Sequence, residues 1–436
     1  MPLRDQPPVQ ADVVIVGGGM VGATLALALS ELPLQIVVLE GQSLKDICAP
    51  IPAATTVADF EPRVSALTEA TRTLLDDLGV WDHLGQVRFC PYQHMRVWDA
   101  EGTGEVHFDA ADLQLTRLGQ IVENRVLNKA LTETLLTRDN IQLLDAVHVK
   151  RWLPGPRGGV LSLDDGRSVC GDLVVGADGA RSRVRQWAGL ATREWDYDQQ
   201  AIVCTVRCSE SHQYTAWQRF MATGPLAFLP LATESGDNHF VSVVWSQDTD
   251  QALALAALDD TAFMASLGQA LEWRLGAITE VSRRFLVPLR QRHAKDYVRE
   301  HLALVGDAAH SIHPLAGQGV NLGFADVAVL ADEIRRGHKR GLSPGDATVL
   351  GRYQRRRKGE NLAMMAAMEG FKQLFGRDEL PLRWLRNTGM RWLDRQGQLK
   401  NRIASEAMGL QRELPRFGAP RGPLDAGSNL ARQSHS

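Results

Sequence analysis

The sequence predicts an α/β protein with a Rossmann-like domain, an inserted and mostly antiparallel β-sheet domain, and a C-terminal helical segment. Three observations lead there. The β-branched run Asp12-Val13-Val14-Ile15-Val16 enters a glycine-rich turn and then a stretch rich in Ala and Leu. Two later apolar runs, 172–176 and 302–305, each lead into a turn that pairs Gly with Asp. Residues 201–208 and 239–245 alternate as half-buried strands do.

Composition bounds the problem. At about 150 residues per domain, 436 residues suit two or three domains. Hydrophobic residues at 44% and charged residues at 23% describe an ordinary globular chain. The formal charge of −3 excludes a general polyanion binder, so no nucleic-acid partner is expected. Five scattered cysteines, Cys48, Cys90, Cys170, Cys204 and Cys208, read as reduced thiols in a cytoplasmic protein. Cys204 and Cys208 share one face of a strand-like run, without a second Cys or His pair to complete a zinc set. Core packing is their expected role, and no metal is expected.

Residues 13–30 carry no charge, which is long enough to imitate a membrane span. Gly17-Gly18-Gly19 divide the stretch, and Arg4 is the only basic residue before it, a poor signal-peptide start. It reads instead as strand, turn and helix. Gly17-Gly18-Gly19-Met20-Val21-Gly22 fits G-x-G-x-x-G. Gly17 permits the tight turn, Gly19 lets a pyrophosphate approach, and Gly22 lets the helix pack on the strand. Backbone amides from Met20 and Val21 onward face the phosphates at the helix N-terminus. A second strand, 35–39, ends at Glu40, placed to accept hydrogen bonds from a ribose. An acid there favours FAD or NAD over NADP. This motif alone leaves FAD and NAD open.

The second motif is Asp172-Leu173-Val174-Val175-Gly176-Ala177-Asp178-Gly179-Ala180-Arg181-Ser182. The third runs from Leu302 through Gly306-Asp307-Ala308-Ala309-His310 to His313-Pro314-Leu315-Ala316-Gly317-Gln318-Gly319-Val320-Asn321-Leu322-Gly323, and a helix follows over 320–336. Together the three motifs resemble those of the class A flavoprotein aromatic hydroxylases, the group of p-hydroxybenzoate hydroxylase. The long third run is similar to a narrower branch, the FAD-dependent hydroxylases of ubiquinone biosynthesis that act on a polyprenyl-phenol ring at C5 or C6. The stretches 63–67, 121–124, 228–231 and 408–410 support it, so the resemblance covers about residues 10–410.

The resemblance implies an FAD-binding Rossmann-like domain of the GR2 type, and roles for particular residues. Asp307, after Gly306, would hydrogen-bond the ribityl chain. Asp178 would lie near the pyrophosphate and serve NAD(P)H. The 314–319 loop, with Pro314 and Gly317 as its catalytic positions, would run beside the isoalloxazine ring. Its amides and the helix start at Gly319, Val320 and Asn321 would face the N1–C2 edge, where a positive dipole end stabilises reduced flavin. Arg125 would contact FAD. Arg63 would reach the active site, or else occupy an exposed first turn. The family reaction adds O₂ to reduced flavin and passes oxygen from the C4a-hydroperoxide to an electron-rich ring, with NAD(P)H as electron donor. A second G-x-G-x-x-G for a nicotinamide domain is absent from the sequence, as in the family.

Other patterns point away from other chemistry. His310 and His313 flank a loop start without a carboxylate pair, so they are not read as metal ligands. Ser65 lacks the G-x-S-x-G elbow of a nucleophile. Trp-x-Trp, the halogenase motif, does not occur.

The expected organisation is a discontinuous FAD domain over 10–85, 112–190 and 285–340, with helices over 65–78 and 121–136. A substrate domain draws on 86–111 and 195–284, and the apolar 228–231 run forms a wall over the flavin. A basic helical segment covers 345–414, and a disordered tail covers 415–436. Residues 352–402 hold 13 Lys or Arg against five acids, a balance of +8 that leaves −11 for the rest. Trp384, Trp392, Phe371 and Phe375 interleave with those bases, a composition suited to an anionic membrane interface or to a helical cap with a solvated face. The expected protein is an FAD monooxygenase that hydroxylates a polyprenyl-phenol with O₂, cytoplasmic or peripheral on the inner membrane, working alone or in a multi-enzyme ubiquinone-biosynthesis complex. A hydroxylase of a small soluble aromatic and a non-catalytic FAD-bound scaffold are the alternatives.

Overall fold

The computed structural model describes residues 7–84, 88–100, 102, 104–311, 319–376 (backbone alone from 371), 392, 394, 396–397, 400–401 and 414–417. Its first sheet follows the buried β-branched runs. Val9–Val16 pairs in parallel with Ser168–Gly176 on one side and Ile36–Leu39 on the other. Ile141–Leu144 and Leu302–Leu304 extend the sheet in parallel at its two flanks. Parallel strands covered on both faces need apolar side chains throughout, and Ile36–Leu39 is buried at every position. The Met20–Leu29 helix is buried along nearly its whole length, so the uncharged 13–30 stretch is a strand and an interior helix. Among the described residues, no helix is long and apolar enough to cross a membrane.

The second sheet is antiparallel apart from one parallel pair, Thr215–Met221 against His94–Asp99. Its spine is Thr192–Cys208 paired with Phe240–Asp248, which contain the two alternating runs seen in the sequence. One face packs against the Thr249–Ala257 and Asp260–Ala270 helices. Ile202, Cys204, Val206, Cys208, Phe228 and Trp245 are buried there, so Cys204 and Cys208 are core residues. The opposite face carries Leu229, Leu231 and Phe240, the last two packed with Phe60, Ala66 and Ile121. The 228–231 run is therefore divided between two faces, because successive strand residues point to opposite sides. Phe228 belongs to the core under the helices and not to a wall over the flavin.

A small third sheet joins Val64–Leu67, Gly119–Glu123 and Cys90–Tyr92. It shortens both helices expected near it. Residues 65–67 and 121–123 are strand, and the helices are Glu69–Asp77 and Asn124–Leu135. The apolar spacing runs unbroken across each boundary. What ends the strand is Thr68, whose hydroxyl accepts the Thr71 amide at 3.3 Å as an N-cap. Cys90–Tyr92 pairs in this small sheet, and Phe285–Ala294 pairs with Thr192–Cys208 in the large one. Both depart from the placement given by simple division of the sequence.

His212 couples the large sheet to pH. Its Nδ1 accepts the Tyr214 amide at 3.1 Å and its Nε2 faces the Leu231 carbonyl at 3.0 Å. A neutral imidazole protonated on Nε2 satisfies both contacts. Burial pushes its pKa down from 6.5 to about 4. As pH falls across that window the unfolded chain takes up a proton that the folded chain refuses, so stability is full above it and lost within it. Urea midpoints should drop between about pH 7 and pH 5, and His212→Asn should flatten the drop. An unchanged pH slope in that variant would contradict the assignment.

Candidate functional site

The three motifs converge at the C-terminal edge of the parallel sheet. Gly17 ends the first strand at φ +105°, and a Cβ there would lie 2.5 Å from the Ala177 carbonyl oxygen. A Cβ on Gly22 would lie 1.9 Å from the Gly17 carbonyl oxygen. Both glycines are forced by close backbone approach. Gly19 differs, since a Cβ there meets nothing within 4 Å. The N-terminus of the Met20–Leu29 helix thus opens on free space, with no acidic residue in its first turn to offset its dipole. That cradle fits a pyrophosphate. Glu40 guards its edge, one carboxylate oxygen accepting the Gly18 amide at 2.7 Å and the other the Gln42 amide at 2.8 Å. Each oxygen keeps a lone pair for a ribose hydroxyl.

The second motif backs the first. Asp178 accepts the Arg183 and Val184 amides at 2.7 and 3.1 Å and so caps the Arg183–Trp187 helix. Beside it Gly179, at φ +75°, opens on free space. The third motif closes over Val21. Gly306 takes φ +59°, and Cβ atoms on Gly306 or Gly323 would meet the Val21 side chain at 3.1 and 2.8 Å. Any larger residue at either position would separate the first helix from the third motif.

Asp307 is exposed to solvent yet crowded by protein, as expected of a carboxylate that lines an open cleft. Desolvation raises its pKa above the ordinary carboxylate value, while His310 and Arg63 oppose the rise. The Arg63 side chain is exposed just ahead of the Val64–Leu67 strand. Val320 sits half-buried in the first turn of the Gly319–His338 helix. Asn321 turns inward, its amide donating to the Ala66 carbonyl at 2.7 Å and its oxygen accepting from Thr71 Oγ1 at 2.7 Å. Its side chain fastens this helix to the small sheet. Pro314 and Gly317 lie outside the described residues.

Arg125 pairs with Glu123 at 3.0 Å and also donates to the Asp59 carbonyl. Glu123 is buried and receives Arg88 Nε at 2.6 Å, and Arg88 reaches Glu234 at 3.1 Å. This cluster ties the small sheet to the large one beside the site, and no sequence motif marks it. A second unmarked cluster surrounds Asp326, which accepts the Gly306 amide at 3.0 Å and His310 Nε2 at 2.6 Å. The available signal was an acid, Asp326, set within the apolar stretch 322–331.

The FAD binding domain model matches residues 10–360. The chain is 39% identical to 3-demethoxyubiquinol 3-hydroxylase of Escherichia coli (strain K12), over 94% of this chain and all of that protein. It is 38% identical to ubiquinone hydroxylase UbiL of Rhodospirillum rubrum, covering 92% and 90% of the two chains. The human ubiquinone biosynthesis monooxygenase COQ6, mitochondrial, is 33% identical over 91% of this chain and 92% of its own. Among solved structures, p-nitrophenol 4-monooxygenase PnpA of Pseudomonas putida DLL-E4 superposes with a TM-score of 0.73 at 21% identity, covering 94% and 100% of the chains. At that identity the likeness establishes the fold.

Proposed function

The chain belongs to the FAD binding domain family, and from that premise we propose that it is an FAD-dependent monooxygenase hydroxylating the ring of a polyprenylated phenol in ubiquinone biosynthesis. The observation that carries this reading is the 39% identity to 3-demethoxyubiquinol 3-hydroxylase along that protein's full length. The site supports it with a glycine cradle, a ribose-facing acid and a cleft carboxylate on one sheet edge.

FAD, when bound, supplies reduction by a nicotinamide and the activation of O₂ for insertion into the ring. The chain supplies position and environment. Helix amides from Met20 and Val21 hold the pyrophosphate and Glu40 holds the adenosine ribose. Asp307 accepts hydrogen bonds from the ribityl chain, and Arg63 steadies its charge. The helix start at Gly319 and Val320 would face the ring, while residues 314–318 of the expected loop lie outside the described residues. Leu229, half-buried at the margin of the apolar cluster on the sheet face toward the cofactor domain, suits a hydrophobic substrate, and Leu231 and Phe240 pack behind it. The second motif, with Asp178 fixed as a cap and Gly179 open, serves NAD(P)H. Another reductant would serve in its place if a partner complex supplies one.

Asp307→Ala tests the cofactor assignment. Loss of a charged acceptor should weaken FAD binding by at least about tenfold, read by fluorescence titration of the apoprotein. Unaltered affinity would remove Asp307 from the site.

A polyprenyl substrate resides in lipid, and the 352–402 balance of +8 suits attraction to an anionic surface. Arg383, Arg386 and Arg391 lie outside the described residues. The protein should sediment with anionic and not with zwitterionic liposomes, and changing these three to Glu should abolish the difference. Equal binding to both vesicle types would count against lipid attraction.

A further inference from the structure

We propose that Asp326 is a positioning residue for the Gly306–Asp307 turn, and that through Arg357 it makes the C-terminal helix Ala347–Gly376 part of the FAD site. The inference rests on the reading above that this turn holds the ribityl chain.

Asp326 is fully buried, and its two oxygens are divided between two parts of the fold. Oδ2 accepts the Gly306 amide at 3.0 Å and His310 Nε2 at 2.6 Å, which brackets Asp307 on both sides in sequence. Oδ1 accepts Arg357 Nε at 2.7 Å and Asn361 Nδ2 at 3.2 Å, both from the C-terminal helix. An ionised carboxylate only accepts, so His310 carries its proton on Nε2. Arg357 is 1% exposed and its guanidinium also donates to Asn361 Oδ1 at 2.7 Å. Asn361 continues to the Tyr297 hydroxyl at 3.2 Å, which meets His293 Nε2 at 2.9 Å.

Packing alone does not account for this arrangement. Burying a carboxylate and a guanidinium costs several kcal/mol per ion, and apolar residues of similar volume often serve stability as well. Four directed hydrogen bonds on one carboxylate do something that apolar packing cannot, which is to fix a backbone amide at φ +59° and a ring beside it. A displaced C-terminal helix would leave Oδ1 unpaired and let Asp326 rotate away from the turn. Engagement of the basic 352–402 stretch, whose first part lies on this helix, is thereby linked to cofactor affinity.

The cluster also sets local charge. Asp326 stands between Arg357 and the turn, so neutralising it leaves Arg357 paired with the more exposed Glu360 and makes the surroundings of the turn more positive. Removing Arg357 exposes it to an unscreened anion. Reduced flavin carries the additional negative charge, so the two changes should move its potential in opposite directions.

The test uses apoprotein titrated with FAD, and the reduction potential of the reconstituted protein. Asp326→Asn and Arg357→Met should each weaken FAD by at least about tenfold, the first raising the flavin potential and the second lowering it. A role confined to stability would give no such opposition of sign. His310→Gln, which keeps a donor, should retain affinity that His310→Phe loses. These two variants and Arg357→Met carry the test if Asp326→Asn does not fold. Arg336→Gln, on the Gly319–His338 helix but outside the cluster, should bind as the parent does. If Asp307→Ala loses FAD while the Asp326, Arg357 and His310 variants keep parental affinity and potential, the proposal fails and the cofactor reading stands. If Asp307→Ala also keeps FAD, the reading falls and the proposal falls with it.

Discussion

Gly22→Ala should purify colourless and melt early, whereas Gly19→Ala should melt as the parent apoprotein does and still lose FAD. The contrast follows from where each new methyl would point. At Gly22 the methyl would lie 1.9 Å from the Gly17 carbonyl oxygen, a backbone atom that cannot yield without opening the turn. Overpacking of that kind costs about 1–3 kcal/mol or more. At Gly19 the backbone is extended into the helix at φ −66°, which alanine adopts freely, and the methyl meets nothing within 4 Å. The space it would fill is the space where the pyrophosphate must approach. Thermal melting of both apoproteins, with FAD titration alongside, separates the two effects. Equal melting temperatures for the two variants would mean that the turn is looser than its geometry states.

Glu123→Ala should destabilise the protein by about 3–5 kcal/mol. Glu123 and Arg88 have side chains only 3% exposed, and Glu123 also accepts the Glu61 amide at 2.6 Å. Truncation leaves the Arg88 guanidinium buried with the more exposed Glu234 as its one ionic partner among the described residues. The surface pair Arg290–Asp196, at 64% and 56% exposure, provides the comparison. Breaking it should cost less than about 1 kcal/mol, since solvent already screens it. Urea unfolding of the two variants measures the difference. A loss at Glu123 no greater than that at Asp196 would show that water reaches the cluster. Arg88 also donates to the Asp59 carbonyl at 2.9 Å, so the loss should extend to FAD retention through the segment that precedes Arg63.

The site was legible where chemistry demands a fixed local pattern. Gly17, Gly19, Gly22 and Glu40 could be assigned tasks from spacing because each task is met within one strand–turn–helix unit. The alternating runs at 201–208 and 239–245 showed strands because one sheet face is buried beneath helices. Legibility failed where a partner lies far along the chain. Val64–Leu67 pairs with Gly119–Glu123, and the apolar spacing of each segment alone continued the neighbouring helix through it. Cys90–Tyr92 joins that same small sheet for the same reason. Asn321 fits the family motif as a cofactor residue, yet its side chain spans to Ala66 and Thr71, a contact set by the packing of the helix. Arg357 stands in Arg355-Arg356-Arg357, a run that reads as a solvated basic face. Its burial depends on Asp326 and Asn361, and only their spatial meeting distinguishes it from its neighbours.

The most direct test of the account is the fate of molecular oxygen. Purified protein, reconstituted with FAD and given NAD(P)H, a polyprenylated methoxyphenol and ¹⁸O₂, should yield a phenol bearing one additional hydroxyl that carries the heavy isotope. The same incubation with Asp307→Ala should give little product until FAD is supplied in excess. If NAD(P)H is consumed and only hydrogen peroxide forms, with no label in any phenol, tailed or not, then the protein is not a ring hydroxylase.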